Sequence, residues 1–313
     1  MQDINKKIDA HWSNVTKKTS ESKNLKLRWW QSPHIIKHIN RVVCGEPIPG
    51  FSQGLINIVK ARAGRSIPFM KGISVGGGNG QKEIDLIKQG IVEYFDIYEL
   101  SQTRISVGRE LAKKQLVADK VQFIYGDAFE RAAEPEKYEF VHWNNSLHHM
   151  FDVDKALKWS KTVLKQGGLF YMDDFVGASR FQWPDEQLEV ATKVRCAFQQ
   201  SKYLSNPNAQ TSFLPTDVTR PDKEKLVQSD PSEAADSDRI IDAIYQHFPN
   251  AEIKNTGGVI YHLALSDMLH NFNENDDKIL LDLLMIIDEL CTKLGQTHYA
   301  IALAFKDDCL VDG

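Results

Sequence analysis

Lys71-Gly72-Ile73-Ser74-Val75-Gly76-Gly77-Gly78-Asn79-Gly80 is the stretch on which the reading of this chain turns. Residues 72–75 have the small and β-branched character of a short buried strand. Glycine then fills four of the five positions 76–80. Residues 81–87, QKEIDLI, continue with apolar side chains at Ile84, Ile87 and Ile91, the spacing of a helix face. A strand, a glycine turn and a helix open a βαβ unit. Glycine at such a turn permits positive φ and lets the backbone approach a ligand that a Cβ would hold away.

Moving outward, residues 93–99 (EYFDIYE) read as a second strand ending in an acid. Glu99 lies about twenty residues past the glycines, where a carboxylate at a strand end accepts bonds from ribose hydroxyls. A helix-capping role for Glu99 stays open, because Ser101 starts another helix. A third strand, 121–125, ends at Gly126-Asp127-Ala128. A fourth, 138–143, runs into Asn144-Asn145-Ser146-Leu147-His148-His149. A fifth, 169–172, follows Lys165-Gln166-Gly167-Gly168.

These segments, in this order, resemble the class I S-adenosylmethionine-dependent methyltransferases over residues 70–176. VGGGNG resembles the family's glycine loop, and Glu99 its ribose-binding acid. Gly126-Asp127-Ala128 resembles the segment that meets the adenine. Ser146-Leu147-His148-His149 and Leu164-Lys165-Gln166-Gly167-Gly168 resemble its "LHH" and "LKPGG" segments. Ser74 departs from the pattern, since many members carry an acid there. The resemblance implies a Rossmann-like α/β fold, a mostly parallel seven-stranded sheet whose last strand is antiparallel. It implies S-adenosylmethionine as cofactor and S-adenosylhomocysteine as product. The cofactor contacts it implies are Gly76, Gly77, Gly78, Gly80, Glu99, Leu100, Asp127, Ala128 and Asn144.

Composition sets the outer limits. The chain has 313 residues, 42% of them hydrophobic and 26% charged, with a net charge of −4, so no global basic field attracts nucleic acid. The cysteines Cys44, Cys196, Cys291 and Cys309 lack any metal-ligand spacing, which predicts no zinc site and fits a reducing compartment. With no apolar signal core and no run long enough to span a membrane, the chain reads as soluble and cytoplasmic.

Four segments are expected. Residues 1–70 form a helical cap, with a polar, mildly basic arm over 1–28 read as a solvated helix or a partly disordered arm, a phosphate- or membrane-surface contact being the alternative. Ser32-Pro33 starts a helix there, with His34 and His38 on one face at the mouth of the pocket. Residues 71–176 form the cofactor core. Residues 177–239 form a lid over the acceptor, with a helix from Asp185 to about Tyr203 and a short one starting at Ser229-Asp230-Pro231-Ser232-Glu233. Residues 240–313 complete the sheet, with one strand over 253–265, a helix over 278–294 and a last strand over 298–305. The motifs SRFQW, DPSEA and SPHIIKHINR resemble a bacterial branch associated with sugar and surface-glycan modification.

A sulfonium methyl is already electrophilic, so the protein has to align an acceptor and manage one proton. His149, ahead of His148, is the expected base, with Asp173 or Asp174 orienting it or binding acceptor hydroxyls. His34, Arg180, Gln182 and His262 are expected to hydrogen-bond the acceptor, and Trp183 and Phe181 to stack on it. The leading expectation is methyl transfer to a hydroxyl of a sugar or sugar-linked small molecule. N-methylation of an amino sugar or other small amine is the alternative. A catalytically silent cofactor-binding partner is a third. A homodimer is a possible assembly, and neither nucleic acid nor a metal is expected.

Overall fold

The computed structural model describes residues 2–21, 27–64, 67–206 and 213–306; Cys309 lies outside them. Three helices come first: α1 (Gln2–Glu21), α2 (Pro33–Cys44) and α3 (Gln53–Ala63). The core alternates β1 (Phe69–Val75), α4 (Gln81–Lys88), β2 (Val92–Glu99), α5 (Gln102–Lys114), β3 (Val121–Tyr125), α6 (Ala128–Arg131), β4 (Tyr138–Asn144), α7 (Val153–Val163) and β5 (Leu164–Phe175). Then come α8 (Asp185–Ala197), α9 (Lys223–Ser229), α10 (Ile240–His247), β6 (Glu252–Gly257), α11 (Lys278–Lys293) and β7 (Tyr299–Phe305). The strands form one seven-stranded sheet in the order β3-β2-β1-β4-β5-β7-β6. β1 to β5 pair in parallel and β7 runs antiparallel to both neighbours, as expected from the sequence. Helices cover both faces, so the central strands carry buried apolar residues on both sides: Ile73, Phe95, Ile97, Phe140, Val141, Leu169 and Phe170 have no exposure.

The glycine turn is fixed by sterics on both sides. Gly76, Gly78 and Gly80 hold φ of 66°, 62° and 71°, a region that costs any other residue strain. A Cβ on Gly80 would stand 2.7 Å from Phe123 Cζ, and one on Gly77 would stand 2.7 Å from Ile97 Cγ2. Ser74, the departure in β1, donates to Glu83 Oε1 (2.7 Å), and His142 Nδ1 meets the same oxygen (2.7 Å). Thus α4 supplies a buried carboxylate directly behind the turn, beside the place where β1 lacks one.

Three segments differ from expectation. The strand expected over 253–265 stops at Gly257. Gly257 and Gly258, with φ of 93° and 125°, turn the chain, and Val259–Ala264 form a π-helix. The Asp288 carboxylate seats that turn by accepting from the amides of Gly258 (3.0 Å) and Ile260 (2.7 Å). The DPSEA segment is a turn instead of a helix start, because Asp230 Oδ1 accepts from the Ser232 amide (2.9 Å) and hydroxyl (2.6 Å). The helix after Asp185 ends at Ala197, short of Tyr203. No helix among the described residues is long and apolar enough to cross a membrane.

Candidate active site

The carboxyl ends of β1, β2, β4 and β5 meet at one edge, where ligands of such sheets bind. Adjacent strand residues point to opposite faces, and this separates the two acids at the end of β5. Asp174 is fully buried under the turn after β4. Its Oδ2 accepts from the amides of Ser146 and Leu147, both at 2.8 Å, and its Oδ1 meets His148 Nδ1 at 2.5 Å. Asp173 points the other way. There its Oδ2 accepts from Ser52 Oγ (2.6 Å), and burial raises its pKa.

His148 is therefore the oriented imidazole. Burial opposes its charge, but the Asp174 carboxylate, helped by Glu233 and Asp230, outweighs that and raises its pKa above 6.5. Asp174 moves the other way: burial works against its charge, yet His148 and the two amides hold its pKa below the ordinary value. The free His148 Nε2 faces Glu233 Oε1 at 3.6 Å. His149 has no carboxylate on its ring. Its Nδ1 meets Ser232 Oγ (3.1 Å), and burial, then the neighbouring His148 and Arg104 charges, push its pKa well below 6.5. The two rings lie 4.1 Å apart.

The turn at 230–234 closes over this pair. Arg180 Nη1 staples it by donating to the carbonyls of Pro231 (2.8 Å) and Glu233 (2.9 Å). Asp230 is buried, and its Oδ2 accepts no hydrogen bond from any described group. Helix α1 lies across the same edge. Trp12 meets the His149 ring edge-on at 5.3 Å and takes the Arg104 guanidinium over its face at 3.9 Å. Ser13 Oγ lies 3.0 Å from Ser101 Oγ, and His11 Nε2 is 3.8 Å from Asp230. Among the described residues, His148, His149 and Glu233 also bring one ligand atom each within 4.8 Å of one another, a spacing that could hold a metal ion and one the sequence reading did not foresee.

On the cofactor side, Glu99 is buried with one oxygen accepting from the Gly78 amide (2.9 Å) and the other from the Ser101 amide (2.8 Å). Burial raises its pKa. It thus ties the glycine turn to the start of α5, while each oxygen keeps a second lone pair. Leu100 follows it, half-buried. Asp127 caps α6 through Phe129 N (2.8 Å), and the Ala128 side chain belongs to the core. Asn144 is held by Lys82: the ammonium contacts both its side-chain oxygen and its carbonyl.

The other expected acceptor residues have structural partners. His34 pairs with Asp282 on α11 (3.2 Å), and His38 lies 3.6 Å from Glu289 on the same helix, so both α2 histidines face α11. Gln182 donates to the carbonyls of Arg180 and Pro221. Trp183 is buried between Phe181 and His298, its ring stacked on both. His262 Nδ1 meets His298 Nδ1 (3.0 Å), and burial lowers its pKa to about 4. Lys82, Arg104, Trp12, Asp230 and Glu233 join the edge instead. The only sequence sign of Trp12 is its place in the weak Ile8, Trp12, Val15 stripe of a polar arm.

The family model described as "Methyltransferase domain" matches residues 69–226, half of the chain. A ubiquinone/menaquinone biosynthesis C-methyltransferase of Brucella anthropi is 28% identical over 109 residues, which are 34% of this chain and 41% of that protein. The 27-O-demethylrifamycin SV methyltransferase of Amycolatopsis mediterranei is 30% identical over 104 residues, 33% of this chain and 38% of that one. The chain thus spans about two fifths of the length of these curated relatives. Among solved structures, geranyl diphosphate C-methyltransferase from Streptomyces coelicolor superposes with a TM-score of 0.53 at 13% identity, over 97% of this chain and 98% of that one. Phosphoethanolamine N-methyltransferase 2 of Haemonchus contortus, in complex with S-adenosyl-L-methionine, gives 0.51 at 15%, over 89% and 58%. At such identities the structural matches establish the fold alone. The residues present fit S-adenosylmethionine: a turn with no Cβ to obstruct it, a carboxylate at the end of β2, and the Lys82 ammonium beside Asn144.

Proposed function

From a chain that belongs to the methyltransferase domain family, we propose an enzyme that moves the S-adenosylmethionine methyl group to a hydroxyl of a small polyhydroxylated acceptor such as a sugar. The observation that carries this reading is the Asp174–His148 pair, whose open Nε2 faces Glu233 at the sheet edge.

The cofactor supplies an electrophilic sulfonium methyl. The turn at 76–80 and Glu99 hold it, with Lys82 suited to a carboxylate. Asp174 fixes the His148 tautomer with Nδ1–H donating, so Nε2 is free to take the acceptor proton. As the proton arrives, the imidazolium is stabilised by the carboxylate already bonded to it. His149, without such a partner, shapes the pocket. This reverses the order expected within the pair. Asp230 Oδ2 and Glu233 offer carboxylate oxygens to acceptor hydroxyls, and the turn at 230–234, stapled by Arg180, acts as the part of the lid that carries them. α1 and Trp12 exclude water from the same edge.

The curated relatives act on quinones and a rifamycin, so the sugar reading rests on this carboxylate-rich edge. The same two carboxylates suit an ammonium, which makes a small amine the second reading. The test is turnover of methyl-labelled cofactor against nucleotide sugars, free sugars, glycan ends and small amines. Label in an ether-linked sugar methyl supports the proposal. Label only on amines selects the second reading, and label only on quinones or other apolar acceptors overturns both.

A further inference from the structure

Helix α11 is apolar on two faces. Leu281, Leu284, Met285 and Cys291 are buried against the body of the protein, as on any surface helix. The opposite side should then be polar. Instead Ile279, Leu283, Ile286, Leu290 and Leu294 are each between 49% and 79% exposed. The first four step by four, three and four residues, the seam by which one helix packs along another. With Ile287 beside them, these side chains expose roughly 600 Å², at the upper end for the largest apolar patch on a monomer.

We propose that this face of α11 is covered by the same face of a second copy, giving a two-fold dimer. A regular apolar seam is complementary to itself, which is what an isologous contact requires. Two such patches would bury about 1,200 Å², at the threshold of a stable standard-size interface. The surrounding charges argue against an anionic lipid surface. Lys278 is bonded to Asp282 (2.6 Å) and Arg41 to Glu289 (2.5 Å), and Lys293 at the end of α11 is matched by Asp276 before its start, so no basic excess rims the patch. The Arg41–Glu289 pair, with His34 against Asp282 (3.2 Å), ties α11 to α2, so a dimer here would brace α2 from behind.

Light scattering on the full chain tests this. The parent is expected at twice the chain mass at ~50 μM, within the range of a modest interface. Leu283→Lys with Leu290→Lys should halve the mass while leaving circular dichroism and S-adenosylhomocysteine affinity unchanged. Should that variant fail to fold, Ile286→Cys keeps the seam. Under copper-phenanthroline oxidation it is expected to give a covalent dimer linked at residue 286. A parent that stays monomeric, a lysine variant that stays dimeric, or a link mapped elsewhere overturns the proposal. So does a monomeric parent that pellets with phosphatidylglycerol vesicles.

Discussion

Asp174→Asn tests the proposed proton site most directly. The parent carboxylate accepts from the amides of Ser146, Leu147 and Phe175, each at 2.8 Å, and meets His148 Nδ1 at 2.5 Å. Asparagine keeps the shape and loses the charge. One oxygen can still serve the amides, but its NH₂ faces the imidazole with a donor. His148 then keeps the burial that lowers its pKa and loses the main force that raises it. Its midpoint, above 6.5 in the parent, should fall below 6.5 in the variant. Histidine-detected NMR titration reads this without knowledge of the acceptor. The pair also sets a stability window. The raised histidine stabilises most below its unfolded pKa of ~6.5, an advantage lost as pH climbs through its folded value. The depressed carboxylate stabilises above ~3.9, an advantage lost as pH falls through its folded value. The pair's contribution is therefore largest between about pH 4 and 6.5. Removing one partner of a buried ion pair costs ~3–5 kcal/mol, so the variant should unfold at lower urea at pH 6, with a smaller difference at pH 9. Turnover should fall ~10²–10⁴-fold. A parent midpoint at or below 6.5, or one that Asp174→Asn leaves in place, refutes the reasoning.

Other changes bear on the rest of the edge. Glu99→Ala strands the Gly78 and Ser101 amides and removes the ribose acceptor, so S-adenosylhomocysteine binding measured by calorimetry should weaken by ~1–3 kcal/mol. Affinity within twofold of the parent would reduce Glu99 to a helix-start tie. Gly80→Ala places a methyl 2.7 Å from Phe123 Cζ at φ 71° and should cost ~1–3 kcal/mol in urea unfolding; an unchanged midpoint contradicts the packing described. Trp12→Ala removes the cover over Arg104 and should speed S-adenosylhomocysteine release several-fold in stopped flow, whereas an unchanged rate would mean α1 does not gate the site. Chelation by EDTA should leave turnover within twofold. Loss of activity restored by a divalent ion would reassign His148, His149 and Glu233 as metal ligands.

The sheet was legible because each strand is a short apolar run bounded by turn residues, a signal local in sequence. The same local signal misled at 259–264. Val259, Ile260 and Tyr261 have strand character, but Asp288, thirty residues on, captures two amides and winds them into a helix. The glycine turn and the acid at the end of β2 were legible from local spacing, and the structure ties the two together through the Gly78 amide and Glu99. The contacts around the histidine pair were not, because they join distant positions: His149 to Ser232 across 83 residues, His148 to Asp174 across 26. Which of two adjacent histidines or acids carries a role depends on the face each meets, and sequence adjacency hides that.

The strand order also bears on how the nascent chain matures. β7 is the furthest strand along the described chain, yet it lies inside the sheet, bonded to β5 on one edge and β6 on the other. Until residues 299–305 have been made, β5 and β6 each present an open edge able to pair with another chain. Synthesis that stalls near residue 295 would leave an aggregation-prone product despite a finished cofactor half. The furthest described strand is thus the one that joins β6 to the rest of the sheet.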